Sequence, residues 1–179
     1  MQGHELVIGV TGGIAAYKTA ALVSQLVQAG LGVSVVMTES ARQFIGPATF
    51  EALTGRAVHV GVFDELGHPL GAHIDLAERA QLLCVAPATA NFLAKAACGL
   101  ADDLLTTLML SFSGKIVVAP AMNCEMWSKP AVERNVEQLR RDGIVVIDPE
   151  EGWLSCRKQG AGRMASPERI RQILEQQLK

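Results

Sequence analysis

Three side chains in this sequence pair a reactive type with an unusual setting: His73, Asn123 and Cys156. His73 stands in Ala72-His73-Ile74-Asp75-Leu76, just after a loop and before a short amphipathic segment. An imidazole at a cleft edge titrates near neutral pH, so it can exchange a proton or hold a carboxylate. A lone His is more often a surface or capping residue, and His4, His59 and His68 are assigned to that use. Asn123 lies in Pro120-Ala121-Met122-Asn123-Cys124-Glu125-Met126-Trp127, the least ordinary stretch of the chain. Met122, Met126 and Trp127 make an apolar wall there, while the amide can donate to and accept from a substrate carboxylate or amide. A hydrophobic plug at a sheet edge, with Asn123 satisfying a turn, is the plainer reading.

The cysteines Cys84, Cys98, Cys124 and Cys156 are widely separated, with no CxxC pair and no His at ligand spacing. Neither a metal site nor a disulfide framework is indicated. Cys84, Cys98 and Cys124 sit in apolar or helical stretches and read as small buried hydrophobes. Cys156 alone lies in a polar, glycine-rich segment, from Gly152-Trp153-Leu154-Ser155-Cys156 to Gly160-Ala161-Gly162-Arg163-Met164. That pattern reads as a long loop over 149–162, part of a flexible flap around 149–163 able to close over substrate and exclude water.

Something must position these groups, and the apolar pattern says what. Leu6 to Val10 is a short β-branched run, followed by a glycine turn and a helical pattern from Ile14 to Gln28 that Gly30 ends. Val33 to Met37 is the next strand, completing a βαβ unit and implying a parallel sheet. Further strands are expected at Leu82–Ala86, Ile116–Ala119 and Ile144–Ile147. Helices are expected over Ala41–Leu53, Ala90–Ala97, Asp102–Leu110, Pro130–Asp142 and Pro167–Leu178, and a loop over Asp64–Gly71. Strands apolar on both faces and separated by helices describe a three-layer, doubly wound α/β domain of the Rossmann-like kind.

In such folds ligands sit at the carboxyl ends of the strands. Thr11-Gly12-Gly13-Ile14 follows the first strand and opens the first helix, where free N–H groups and the helix dipole favour a phosphate, although glycine serving only the first turn of an α/β fold is the plainer reading of this loop taken alone. Ala15 and Ala16 break the dinucleotide glycine pattern, and Met37-Thr38 offers no acidic residue to a ribose, which argues for FMN over NAD. Thr38 and Ser40 could bond a phosphate or cap the next helix. Pro87-Ala88-Thr89-Ala90-Asn91 would admit a flat ring close to the backbone, although Thr89 is almost as well explained as a cap.

With 179 residues, 49% of them hydrophobic, the chain has material for one domain and one core. Its net charge of -2, from 16 basic and 18 acidic residues spread along the chain, leaves no basic stripe for nucleic acid. The first apolar run is too short for a signal or a membrane span, so a cytoplasmic protein is expected.

Taken in order, Gly12-Gly13-Ile14-Ala15-Ala16-Tyr17-Lys18, His73-Ile74-Asp75-Leu76, Pro87 to Asn91, Pro120 to Asn123 with Met126-Trp127, and the Cys156 flap resemble the homo-oligomeric flavin-containing cysteine decarboxylases. The resemblance covers nearly the whole chain, 1–179. It implies an FMN-dependent carboxy-lyase whose flavin is held by Gly12, Gly13, Ile14, Thr38, Pro87, Ala88, Thr89, Ala90 and Ala121. It further implies His73 as the catalytic histidine, Asn123 beside Met122 and Met126 as the substrate site, and Cys156 as a proton donor. The implied substrate is phosphopantothenoylcysteine, converted to phosphopantetheine for coenzyme A. Its thiol would be oxidised to a thioaldehyde, carbon dioxide lost, and the enethiolate reduced and protonated. The implied assembly is a trimer or dodecamer with the site shared between subunits. Phe92 and Arg157 depart from the family's pattern, standing where a polar residue and a glycine are usual. Other readings on the same fold are a peptidyl-cysteine decarboxylase releasing an enethiol, a flavin prenyltransferase or reductase, and a non-catalytic flavin-binding regulatory subunit.

Overall fold

The structure, a computed structural model, describes residues 3–62, 71–153 and 157–179. The apolar runs become five parallel strands, β1 (Glu5–Val10), β2 (Gly32–Met37), β3 (Leu82–Ala88), β4 (Lys115–Pro120) and β5 (Val145–Val146), in the order β2-β1-β3-β4-β5. Alternation along each strand sends side chains to opposite faces. Leu6, Ile8 and Val10 enter one core with Cys84, Ala86, Val117 and Ala119, while Val7, Leu83, Val85 and Val118 enter a second. A sheet buried on both faces needs a helical layer on each side.

One layer is α1 (Ala16–Gln28), α2 (Pro47–Thr54) and α8 (Pro167–Gln177); the other is α3 (Ala72–Arg79), α4 (Ala90–Cys98), α5 (Leu104–Ser111) and α7 (Pro130–Arg141). Gly9 sits where α5 comes down on the sheet, and a Cβ there would lie 2.5 Å from Leu105 Cδ1.

Two expected elements come out differently. The helix expected over Ala41–Leu53 is a 3₁₀ turn at Glu39–Gln43 followed by α2, because Gly46 before Pro47 takes an extended conformation (φ -77, ψ 147). The loop expected over 149–162 contains an antiparallel ribbon, β6 (Glu150–Trp153) with β7 (Gln159–Arg163). Its glycine-rich residues have little strand propensity of their own. The pairing is held from outside by the Met122 N–H, which donates to the Gly162 carbonyl at 2.9 Å.

Two smaller expectations are also corrected. His59 is buried, not a surface residue: its N–H donates to Val35 O and its carbonyl accepts from Met37 N–H, extending the sheet beside β2. Cys98 is exposed at the end of α4, whereas Cys84 is buried in β3 and burial pushes its thiol up to about 12. The expected loop over Asp64–Gly71, with His68, falls almost wholly outside the described residues.

Candidate active site

The strand order reverses between β1 and β3, so their first connections run to opposite faces and leave a crevice at the carboxyl edge. Doubly wound sheets of order 2-1-3-4-5 place FMN at this switch point. Here the crevice opens into a cavity of about 1170 Å³, lined by the turns after β1, β2, β3 and β4. That exceeds the roughly 300–1,000 Å³ usual for one small ligand and leaves room for two.

The inner wall is tied together by hydroxyls. Where the β3–β4 register shifts between Val85 and Ala88, the Ala86 carbonyl accepts from Thr19 Oγ1 and the Pro87 carbonyl from Thr11 Oγ1, both at 2.7 Å. Thr11 Oγ1 also accepts from the Thr89 N–H at 3.1 Å, locking the first turn to the third. Gly12 is required where the turn after β1 meets the turn after β2, since a Cβ would lie 2.4 Å from Ser40 Cβ. The N–H groups of Ile14 and Ala15, just ahead of α1, donate to no carbonyl among the described residues.

These features fit FMN. Free N–H groups beside Gly12 and Gly13 suit a phosphate. The small residues Gly13 and Ala90 leave the third turn open to a flat ring. Thr38 and Thr89 cap the 3₁₀ turn and α4, accepting from Ala41 N–H and Phe92 N–H, each at 3.3 Å. Both still line the cavity, as do Ile14 and Ala121. Pro87 and Ala88 are buried behind the lining. Phe92 is explained by its surroundings, being 2% exposed in the second core.

The outer wall is built from the segment after β4 and from the ribbon. Met122, Asn123 and Met126 all line the cavity. Asn123 caps the short helix α6 (Cys124–Trp127): its Oδ1 accepts from Glu125 N–H at 2.8 Å. With the oxygen committed, the amide nitrogen is left to donate. Trp153 and Arg163 carry the ribbon into the same wall. Cys156 lies outside the described residues, between β6 and β7; beside it Arg157 has a φ of 62, in the left-handed region that glycine enters without cost.

His73 is not part of the cavity formed by this single chain. It lies in the first turn of α3, and its Nδ1 is shut from solvent with no hydrogen-bond partner among the described residues.

The charged groups that line the cavity carry no strong sequence signal of their own. Lys95 donates to Asp102 at 2.6 Å and Asp103 at 3.1 Å, and the Asp102 bond in particular raises its pKa. Burial raises Asp103, but donation from the Thr106 N–H and hydroxyl and from Lys95 outweighs it and leaves the carboxyl low. Lys18 donates to the Met164 carbonyl at 3.2 Å and is lowered by burial and by the nearby Arg163 charge, against an opposing Glu150. Only Asp103 announces itself locally, as the cap of a Thr106 capping box.

The flavoprotein family model matches residues 1–179. The chain belongs to the flavoprotein family. This flavoprotein is 46% identical over 175 residues to the coenzyme A biosynthesis bifunctional protein CoaBC of Bacillus subtilis, covering 98% of the chain and 43% of the relative. It therefore spans about two fifths of the length of that relative. Among solved structures it resembles the FMN-dependent cysteine decarboxylase SpaF, at 39% identity and a TM-score of 0.86, covering 99% and 98% of the two chains. A mutant PPC decarboxylase complexed with pantothenoylaminoethenethiol matches at 30% identity and a TM-score of 0.86, covering 97% of each. Among the described residues no helix is long and apolar enough to cross a membrane, and no group of His, Cys, Asp and Glu is placed to hold a metal.

Proposed function

We propose that this chain catalyses the FMN-dependent decarboxylation of phosphopantothenoylcysteine to phosphopantetheine, a step of coenzyme A biosynthesis, in the cytoplasm. The observation that carries the reading is the meeting of two walls around one cavity: the turns of β1, β2 and β3 on one side, Met122, Asn123 and Met126 on the other. CoaBC and PPC decarboxylase, the relatives matched over nearly the whole chain, support the same substrate.

When bound, FMN supplies the two-electron oxidation and re-reduction that a cysteine carbon needs before and after it loses carbon dioxide. The chain's residues bind and orient. Gly12, Gly13 and Ile14, with Thr38, receive the cofactor phosphate at the start of α1, and Thr89, Ala90 and Ala121 leave space for its ring. Asn123 donates its amide to the substrate carboxylate, while Met122 and Met126 keep water from it. The ribbon serves as the flap, and Cys156, in the sequence between its two strands, is the proton donor. His73 takes the thiol proton, and since it lies outside the cavity of its own chain, it works in a cavity completed by a neighbouring copy. Ile14, Tyr17 and Phe44, between 49% and 61% exposed, support an assembly that covers apolar surface. A trimer, alone or as the unit of a dodecamer, meets that need.

A second reading, a decarboxylase of peptide-borne cysteine, is favoured by the likeness to the peptidyl-cysteine decarboxylase EpiD, at 26% identity and a TM-score of 0.82 over 98% of this chain. Carbon dioxide release, measured separately with phosphopantothenoylcysteine and with a cysteine-terminated peptide, separates the two. Turnover of the first alone is expected; turnover of the peptide alone, or of neither, overturns the proposal.

A further inference from the structure

We infer that Arg163 recognises a phosphate monoester on the substrate, with Lys18 as its second positive charge, and so sets the preference for a phosphorylated over an unphosphorylated cysteine compound. The inference rests on the decarboxylase reading above and adds to it the group that reads the substrate's far end.

Among the described residues three cations line the cavity: Lys18, Lys95 and Arg163. Lys95 is neutralised by Asp102 and Asp103. Lys18 has one donor committed to the Met164 carbonyl. Arg163 makes no ion pair with any described residue. Room is made for its side chain on the opposite strand: a Cβ on Gly152 would lie 3.2 Å from Arg163 Nη1 and 3.3 Å from Cδ, so the chain of Arg163 lies across a glycine. Gly162, next to it, is anchored to the Met122–Asn123 segment through the Met122 N–H, which ties Arg163 to the wall that holds the substrate. Lys18 and Arg163 are close enough to repel, Glu150 opposite Arg163 on β6 offsets part of that cost, and a bound dianion adds attraction to both cations.

The chemistry selects phosphate over the other anions at hand. A guanidinium offers a planar pair of donors that matches phosphate oxygens. The reacting carboxylate is the wrong customer, because its charge leaves it in the transition state and a fixed cation would stabilise the ground state instead. The flavin phosphate already has N–H donors at the start of α1.

The test compares ratios in the assembled, FMN-loaded protein. The kcat/KM for phosphopantothenoylcysteine over that for pantothenoylcysteine, and the calorimetric affinity for phosphopantetheine over that for pantetheine, are measured in the unaltered protein and in Arg163→Gln. Loss of a charge-assisted pair predicts that both ratios fall about 10- to 100-fold. Arg163→Lys, which keeps the charge without the fork, and Gly152→Ala, which displaces the side chain, should fall between. Ratios unchanged in Arg163→Gln overturn the inference. So does a lost preference for FMN over riboflavin in that variant, which would assign Arg163 to the flavin phosphate. Failure of the unaltered protein to release carbon dioxide from either compound overturns the decarboxylase reading itself, and the subsite with it.

Discussion

The two walls of the cavity are made in different ways. The inner wall grows directly out of the sheet: Thr11 and Thr19 are 2% and 0% exposed, and their hydroxyls satisfy carbonyls at the ends of buried strands. The outer wall stands away from it, with Trp153 68% and Met126 45% exposed. It is held by the Met122–Gly162 backbone bond and by an exposed ion pair, Lys158 to Glu125 at 3.4 Å. A cofactor that stays bound suits a wall that folds with the core. A substrate that must enter and leave suits one that opens at little cost to the whole.

If that division holds, changes in the inner wall should cost global stability, and changes in the outer wall should cost turnover. Thr11→Val keeps the shape but strips the Pro87 carbonyl of a donor at a buried site and the Thr89 N–H of an acceptor at a partly buried one. A loss of about 3 kcal/mol in denaturant unfolding, with weakened FMN retention, is expected. A loss below about 1 kcal/mol would mean that the turns are not locked by this hydroxyl.

Gly162→Ala attacks the outer wall where it is anchored. The residue has a φ of 140, and a Cβ would lie 2.4 Å from the Met122 carbonyl oxygen. Local strain of about 2 kcal/mol should lift the ribbon from the Met122–Asn123 segment. The expected result is a fall in kcat/KM of about 10²-fold with the flavin still bound, since small misplacements near a reacting centre are costly. Loss of flavin together with activity would erase the distinction between the walls.

Asp103 tests the rim of the inner wall through pH. Its carboxyl is lower in the folded protein than in the unfolded chain, so its stabilisation is complete above the ordinary aspartate range, near about 4, and is lost as pH falls through and below it. Asp103→Asn, which can still cap α5, should flatten the acid side of the stability curve and cost about 1 kcal/mol or less at neutral pH. An acid limb of unaltered steepness would remove Asp103 from the account. Smallest of all, Lys158→Ala should change stability by about 0.5 kcal/mol at most, because exposed ion pairs contribute little. Hydrogen exchange in β6 and β7 should nevertheless quicken, while β1 and β3 stay protected.

Much of this was legible in the chain. The β-branched runs from Leu6 and Val33, and those before Pro87 and Pro120, carry their strand signal locally, because a strand buried on both faces must be apolar at consecutive positions. Thr38, Thr89 and Asn123 could be placed after strands because cap and turn chemistry is short-range. Whether each was a cap or a ligand group was not legible, and the structure gives each a cap bond and a place in the cavity wall.

What the sequence by itself determined is therefore the alternating α/β order, the strand ends at which a site must form, and the polar residues available there. Only the tertiary structure decided that Glu150–Trp153 pairs with Gln159–Arg163 as a ribbon, that His59 is buried, that His73 lies outside its own chain's cavity, and that Arg163 faces it without an ion-pair partner among the described residues. The physical reason is range: propensity and capping act over a few neighbouring residues, whereas the contact of Gly162 with Met122, or of Thr11 with Pro87, exists only once the sheet has brought distant turns to one edge.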